Sequence, residues 1–186
     1  MRSNLRSLLV DHPVADEIEA GHRRRMLALT DLPGDVVARD HFVPGHFTAS
    51  AFVLSPDDRS LLLILHGTLG LWLQPGGHIE SDDEDIFAAA RREAVEETGI
   101  EELDSISLGG PLLDLDVHPI PVNQKRNEPA HEHFDVRILL RARTWDLLAG
   151  SDARDARWVP LGEVEDAGTD DSVRRAVRRV TSKLDA

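Results

Sequence analysis

The sequence contains neither cysteine nor tyrosine among its 186 residues. Without thiols there is no disulfide framework, no thiolate zinc centre and no cysteine nucleophile; such a chain suits a reducing compartment. Aromatic residues make up only 4%, so platforms for stacking a base are scarce; Trp72, Phe134 and Trp145 are candidates, and each is equally a core residue. Net positive charge is missing too. At a formal −13, the protein is poorly suited to wrapping a nucleic-acid polymer, which takes phosphate-neutralising lysines and arginines. It can still take an anionic small molecule if a cation bridges the two charges. Long apolar runs are also lacking. The opening "MRSNLRSLLVDHPVADE" offers only Leu8, Leu9 and Val10 before Asp11, which is short for a signal-peptide core. No run approaches a membrane span. The expectation is a cytoplasmic protein with no membrane partner. At 41% hydrophobic and 30% charged residues, the chain can bury a sizeable core within one domain carrying a small appendage.

Val14, Ile18, Met26 and Leu29 lie near helical spacing, and "DLPGD" (31–35) stops that helix. Residues 1–40 therefore read as an N-terminal helical extension and 41–186 as the main domain. The run from His22 to Arg25 reads as a solvated helix face, with a phosphate contact as the alternative. "HFTASAFVLS" (46–55) and the continuous apolar "LLLILHG" (61–67) read as a strand pair around "PDDRS". A short strand "LWLQ" (71–74) feeds Pro75-Gly76-Gly77. Later strands are "PLLDLDVHPIPV" (111–122), "HEHFDVRILLRAR" (131–143) and "DARWVPLGEV" (155–164). "DDSVRRAVRRVTSKL" (170–184) is an amphipathic helix with Val173, Ala176, Val177, Val180 and Leu184 on one side and four arginines on its wet side.

Between them stands "GGHIESDDEDIFAAARREAVEETGI" (76–100). On a helix, Glu93, Glu96 and Glu97 share a face. Ile86, Ala89 and Ala90 lie close to that face, and Phe87 and Ala94 flank it. Like charges at these spacings cost about 0.2–0.5 kcal/mol per pair when exposed, and more when partly buried. A divalent cation offsets that repulsion, and a site made of carboxylates suits a hard ion such as Mg2+ or Mn2+. The glycines allow a backbone carbonyl to join it. Ser81, Asp82 or Asp83 can cap the helix, and Gly99 is placed to end it. A surface helix of solvated glutamates is the plainer reading, but it leaves the combination of Gly-Gly, Arg-Glu, Glu-Glu and Thr-Gly unexplained.

This segment resembles the Nudix box, G-x5-E-x7-R-E-U-x-E-E-x-G-U with U aliphatic. "REAVEETGI" (92–100) matches its second half and "PGGHIE" begins its first. The interval from Gly77 to Arg92 is one residue longer than usual, so either Asp83 or Glu84 fills the first acidic position. Ala94 is a small residue at an aliphatic position. The preceding strands, "PGG", the later strands and the "WVPL" turn are also similar to Nudix domains. The resemblance implies the Nudix fold, an α/β architecture with a mixed sheet sandwiched between helices. It implies hydrolysis of a diphosphate bond in a nucleoside diphosphate linked to another moiety. It further implies Mg2+ held by Glu96, Glu97 and the Gly76 carbonyl. Glu93 would be a further ligand, or would orient or deprotonate the attacking water. Arg92 would hold a carboxylate in place. Homodimers are frequent in that family; no residue here visibly encodes one. The coenzyme A subgroup's extra motif is absent, as is the cysteine used by isopentenyl diphosphate isomerase. A catalytically silent domain on the same fold is the rival reading, and the complete Arg92, Glu93, Glu96, Glu97 set argues against it.

A second cluster lies downstream. Strand alternation puts Asp114, Asp116 and His118 on one face, and likewise His131, His133, Asp135 and Arg137. Paired antiparallel, these strands form either a substrate pocket or additional metal-binding wall, or the water-facing side of an ordinary half-exposed sheet. The histidine spacing matches no familiar zinc motif. Glu128 and Glu132 are candidates for the distal base that Nudix enzymes often draw from such a loop.

Overall fold

A computed structural model describes residues 1–67, 69–147 and 153–184. Strand β1 (Gly45–Leu54) is central and is buried at every residue, as expected for a strand covered on both faces. It pairs in parallel with β7 (His131–Ala142), from Gly45 against Glu132 to Leu54 against Arg141. Its other partners, β2 (Ser60–His66) and β4 (Gly76–His78), are antiparallel. β3 (Trp72–Leu73) and β8 (Ala153–Pro160) extend the sheet beyond β2, while β5 (Leu103–Ile106) and β6 (Asp114–Ile120) pair with β7. The result is an eight-stranded mixed sheet.

Helices cover both faces. Phe47, Ala49, Ala51 and Val53 point into one core cluster, which takes in α1 (Arg2–Asp11), α2 (Glu17–Thr30) and α3 (Ile86–Thr98). Phe52 and Leu54 point the other way, into a cluster with Val173 and Val177 of α4 (Asp171–Leu184). The start of β1 carries polar side chains on this second face. His46, Thr48 and Ser50 alternate there in line with Phe52, and they line an open cleft.

The N-terminal helices are part of the main core. Leu5, Leu9, Met26 and Leu29 are at most 1% exposed, each contributing roughly 1.5–3 kcal/mol by burial. Two expectations about their charges, and about those of α4, are corrected. His22 bonds the Leu115 carbonyl through Nδ1 at 2.9 Å and Arg23 donates to the His12 carbonyl at 2.8 Å, tying α2 to its neighbours, while Arg24 and Arg25 stay exposed, Arg25 pairing with Glu132. On α4, Arg174 and Arg178 pair with Asp171 and Glu165 at the surface, but Arg175 and Arg179 reach inward to Asp114 and Glu19. A stripe of apolar residues defines the helix's buried side. It does not reveal that acidic partners flank that side.

Candidate active site

Helix α3 is set by its ends. Asp85, not Ser81, Asp82 or Asp83, is the N-cap: its side chain accepts from the Phe87 and Ala88 N–H groups, each at 2.9 Å. Gly99 stops the helix at φ 71°, with its N–H donating to the Val95 carbonyl at 2.8 Å, a left-handed turn glycine adopts without penalty. Ala89, Ala90 and Ala94 are fully buried against the sheet. Their small side chains bring the helix close to β1 and β4, and with it the carboxylates.

Arg92 organises them. Its Nε and Nη2 donate to the two oxygens of Asp83 at 3.1 and 3.0 Å, and Nη1 donates to Glu93 at 3.0 Å and Glu96 at 3.1 Å. A further bond from Nη2 to the His78 carbonyl, 2.8 Å, anchors the guanidinium to β4. Asp83 is thus the acid that pairs with Arg92, and the extra residue of the longer interval falls after it, in the loop before α3. Glu97 accepts from the Gly76 N–H at 3.0 Å. Glu93 lies directly beneath Gly77: a β-carbon there would stand 2.7–2.8 Å from the Glu93 carboxylate. Gly77 is therefore needed for closeness to the helix. Burial pushes the Glu93 carboxyl upward, helped by the charge of Glu96, against the pull of Arg92. Asp83 is held below the usual carboxylate range: burial works against this, and the Arg92 bonds prevail. The side chain of Glu96 is 54% exposed and that of Glu93 15%.

All three glutamates line one cleft of about 2580 Å³, far above the ~300–1,000 Å³ of a fitted small-molecule pocket, so it is an open trough. The β6–β7 hairpin forms the opposite wall, with Asp114 facing Arg137, Asp116 facing Asp135 and His118 facing His133. These residues, with His131 and Glu128, all border the cleft. Glu132 alternates to the other face, where it meets Arg25.

The wall is not water-facing. Asp114, Asp135 and Arg137 are at most 2% exposed. Arg137 donates to Asp135 at 2.9 Å, to Asp114 at 3.0 Å and to the Ser172 hydroxyl at 2.8 Å, with Asp116 at 3.4 Å. Thr48 and Ser50 donate to Asp135 at 3.1 and 2.8 Å, and Arg175 reaches Asp114 at 2.7 Å. Burial, helped by the charge of Glu19, pushes Asp114 up against the pull of Arg137 and Arg175. Asp116 is held well below its ordinary value, since the His118 bond and the Arg137 charge overcome burial. Buried paired charges of this kind hold a wall in one geometry.

Beyond the β6–β7 wall sits a group of imidazoles that sequence patterning did not assemble. His46 of β1 and His78 of β4 meet His133 tilted and edge-on, with ring centroids 4.9 and 5.3 Å away. Burial, reinforced by neighbouring rings, lowers His46 and His78 to about 4 and His133 to about 2, so these rings are neutral near pH 7. The alternation of His46, Thr48 and Ser50 along β1 was the available signal for this part of the cleft.

Comparison with known proteins agrees with this architecture. The family model described as NUDIX domain matches residues 44–180. A curated relative, the "Probable DHNTP pyrophosphohydrolase" of Lactococcus lactis subsp. cremoris, is 37% identical over 93 residues, which is 50% of this chain and 52% of that protein. The chain thus spans about half the length of the curated relative it matches. Among solved structures, a C. elegans Ap4A hydrolase in a binary complex is 17% identical with a TM-score of 0.55, covering 75% of this chain and 97% of its own. RenU, a Nudix hydrolase from M. smegmatis, is 18% identical with a TM-score of 0.54, covering 75% and 86%. At these identities the structural likeness speaks to the fold, which is the mixed sheet between helices described above. The family match covers most of the chain, from the start of β1 into α4, and on that ground the chain belongs to the Nudix family.

Proposed function

We propose that the protein is a Mg2+-dependent pyrophosphohydrolase that cleaves a diphosphate bond in a nucleoside diphosphate linked to another moiety, or in a similar small organic diphosphate. One observation carries the reading: Glu93 and Glu96, bonded by Arg92, and Glu97, bonded by the Gly76 N–H, all line one wide cleft.

The donor set fits the metal. These are oxygen donors, partly accessible and mutually repulsive, as a hard cation requires. Glu93, Glu96, Glu97 and the Gly76 carbonyl would hold Mg2+, with Mn2+ as an alternative; the Gly76 N–H already ties Glu97 to that turn. When bound, the cation would neutralise the diphosphate, polarise the phosphoryl oxygen and lower the pKa of a bound water.

The chain's own residues do the rest. Arg92 fixes Glu93 and Glu96 against β4 through its bonds to Asp83 and the His78 carbonyl. Glu93, with its raised proton affinity, is the residue suited to orient or deprotonate the attacking water. Of the two distal-base candidates, Glu128 borders the cleft, held by Arg39 at 2.8 Å, whereas Glu132 is engaged with Arg25 away from it. Asp114, Asp116, Asp135 and Arg137 shape the substrate wall, with His118, His131 and His133 at its rim.

The name of the Lactococcus relative supports dihydroneopterin triphosphate as the first substrate to try. Nucleoside triphosphates, ADP-ribose, dinucleoside polyphosphates and sugar nucleotides complete the panel. Phosphate or pyrophosphate release with Mg2+ is expected for at least one compound, and Glu97→Gln should reduce it below detection while circular dichroism stays unchanged. Unchanged turnover in Glu97→Gln refutes the assignment. Tight binding without turnover across the panel favours the silent-domain alternative.

A further inference from the structure

The α3 carboxylates offer only oxygen. A short distance along the same cleft, β1 and β7 offer nitrogen. His46 lies beside His133 in the parallel β1–β7 register, and His131 is two residues back on the same face. One ligand nitrogen from each of His46, His131 and His133 lies within 4.8 Å of the others.

Two of the three rings are already oriented. His46 Nδ1 lies 3.3 Å from the His41 carbonyl, and His131 Nδ1 lies 2.8 Å from the Pro129 carbonyl. A carbonyl only accepts, so both rings carry their proton on Nδ1 and present a lone pair on Nε2. Metal-binding histidines are held in this way, with the second nitrogen donating to a backbone carbonyl. The His46 ring is 0% exposed, and its Nε2 is buried with no hydrogen-bond partner among the described residues. A buried nitrogen acceptor without a donor is unfavourable, and here it borders the space that the other two rings share.

We propose that His46, His131 and His133 form a second cation site, distinct from the α3 carboxylates, that takes a borderline divalent ion such as Zn2+ and leaves its fourth position open to the cleft. Neutral imidazoles suit zinc and its late-transition neighbours, whereas carboxylates suit magnesium. Three histidines with one open position is a recurring zinc arrangement. The nitrogens, up to 4.8 Å apart, have to draw together to hold a common ion at ~2.0–2.1 Å. His78 packs beside this group, its ring 5.1 Å from His46 and 5.3 Å from His133, without joining the three nitrogens. The site would meet a phosphate or other anionic end of a molecule lying along the trough. It does not depend on the hydrolase reading: the ion binds whether or not the α3 carboxylates turn over a diphosphate.

The test is direct metal binding by the full chain, stripped with chelator and then exposed to Zn2+ or Co2+ in the absence of Mg2+. One Zn2+ per chain should survive desalting, by elemental analysis, and Co2+ should give the intense visible bands of a four-coordinate site. His131→Gln and His133→Gln should each lower Zn2+ affinity by at least about 100-fold, beyond the loss typical of an outer-shell change. His46 and His131 are buried, so His46→Gln and His131→Gln are read together with their circular dichroism; His133→Gln, at a partly exposed ring, keeps the test decisive if they unfold. Glu97→Gln should keep the zinc. No stoichiometric Zn2+, binding unaffected by His131→Gln and His133→Gln, or binding lost in Glu97→Gln would each overturn the proposal.

Discussion

The two walls of the cleft handle charge in opposite ways. At α3, one guanidinium, Arg92, serves three carboxylates, Asp83, Glu93 and Glu96, and Glu96 remains more than half exposed. On the β6–β7 wall, the buried guanidinium of Arg137 and the partly buried one of Arg175 from α4 serve three aspartates, and hydroxyls of Thr48, Ser50 and Ser172 take up remaining bonds. The first wall is left in electrostatic deficit; the second is nearly balanced. Unrelieved repulsion next to an open trough is what a cation site requires before the cation arrives. Balanced buried charge contributes shape.

That contrast can be tested by exchanging charge on each side. The largest expected effect is on the deficit side: Glu97→Gln should eliminate Mg2+-dependent turnover while circular dichroism stays unchanged. On the balanced side the pattern reverses. Arg137→Met leaves Asp114 and Asp135 buried without their main partner and should lower unfolding free energy by about 3–5 kcal/mol in denaturant titration. Gly77→Ala sharpens the comparison by moving one carboxylate without changing any charge. The new methyl collides with the movable tip of Glu93, so turnover should fall by up to about 100-fold, with stability within about 1 kcal/mol of the parent. A smaller effect is expected at the far end of the balanced wall, where buried Glu19 accepts from Arg179 at 2.7 Å, bonds His12 at 2.7 Å and accepts from the Leu115 N–H at 3.2 Å. Glu19→Gln should destabilise by about 1–3 kcal/mol. Although burial raises it, the His12 and Ala15 bonds leave the Glu19 pKa lowered. Its contribution is therefore present above the unfolded-state carboxylate pKa and is lost as pH falls through the lower folded value. The gap between parent and Glu19→Gln should accordingly narrow in acid.

The carboxylate side was legible in the sequence because its ligands are local. Glu93, Glu96 and Glu97 fall on one helical face, and the two glycines precede them by a fixed interval. Long strands with clear patterning, β1, β2, β6 and β7, were legible for the same reason, as was α4. The four-residue β5 was not: Leu103-Asp-Ser-Ile is short and carries little apolar alternation. Nor was α1, which lacks an N-cap side-chain bond. The inward arginines of α4 were misread because a helical wheel contains no information about the neighbour's charge. The imidazole group escaped because it is a product of topology. His46 and His131 are far apart in the chain, and only the β1–β7 register makes them neighbours. Among the described residues no helix is long and apolar enough to cross a membrane, in keeping with the short apolar runs.

The same β1–β7 register dictates an order of assembly. Its partners are separated in the chain by five strands and α3, and long-range pairing of that kind forms slowly. As the polypeptide emerges during synthesis, α3 and its glutamates can take shape well before β7 exists. The trough, having only one side until then, acquires His131, His133 and its second wall in a single late step, so a chain truncated ahead of β7 would lack the surface for a substrate to lie against.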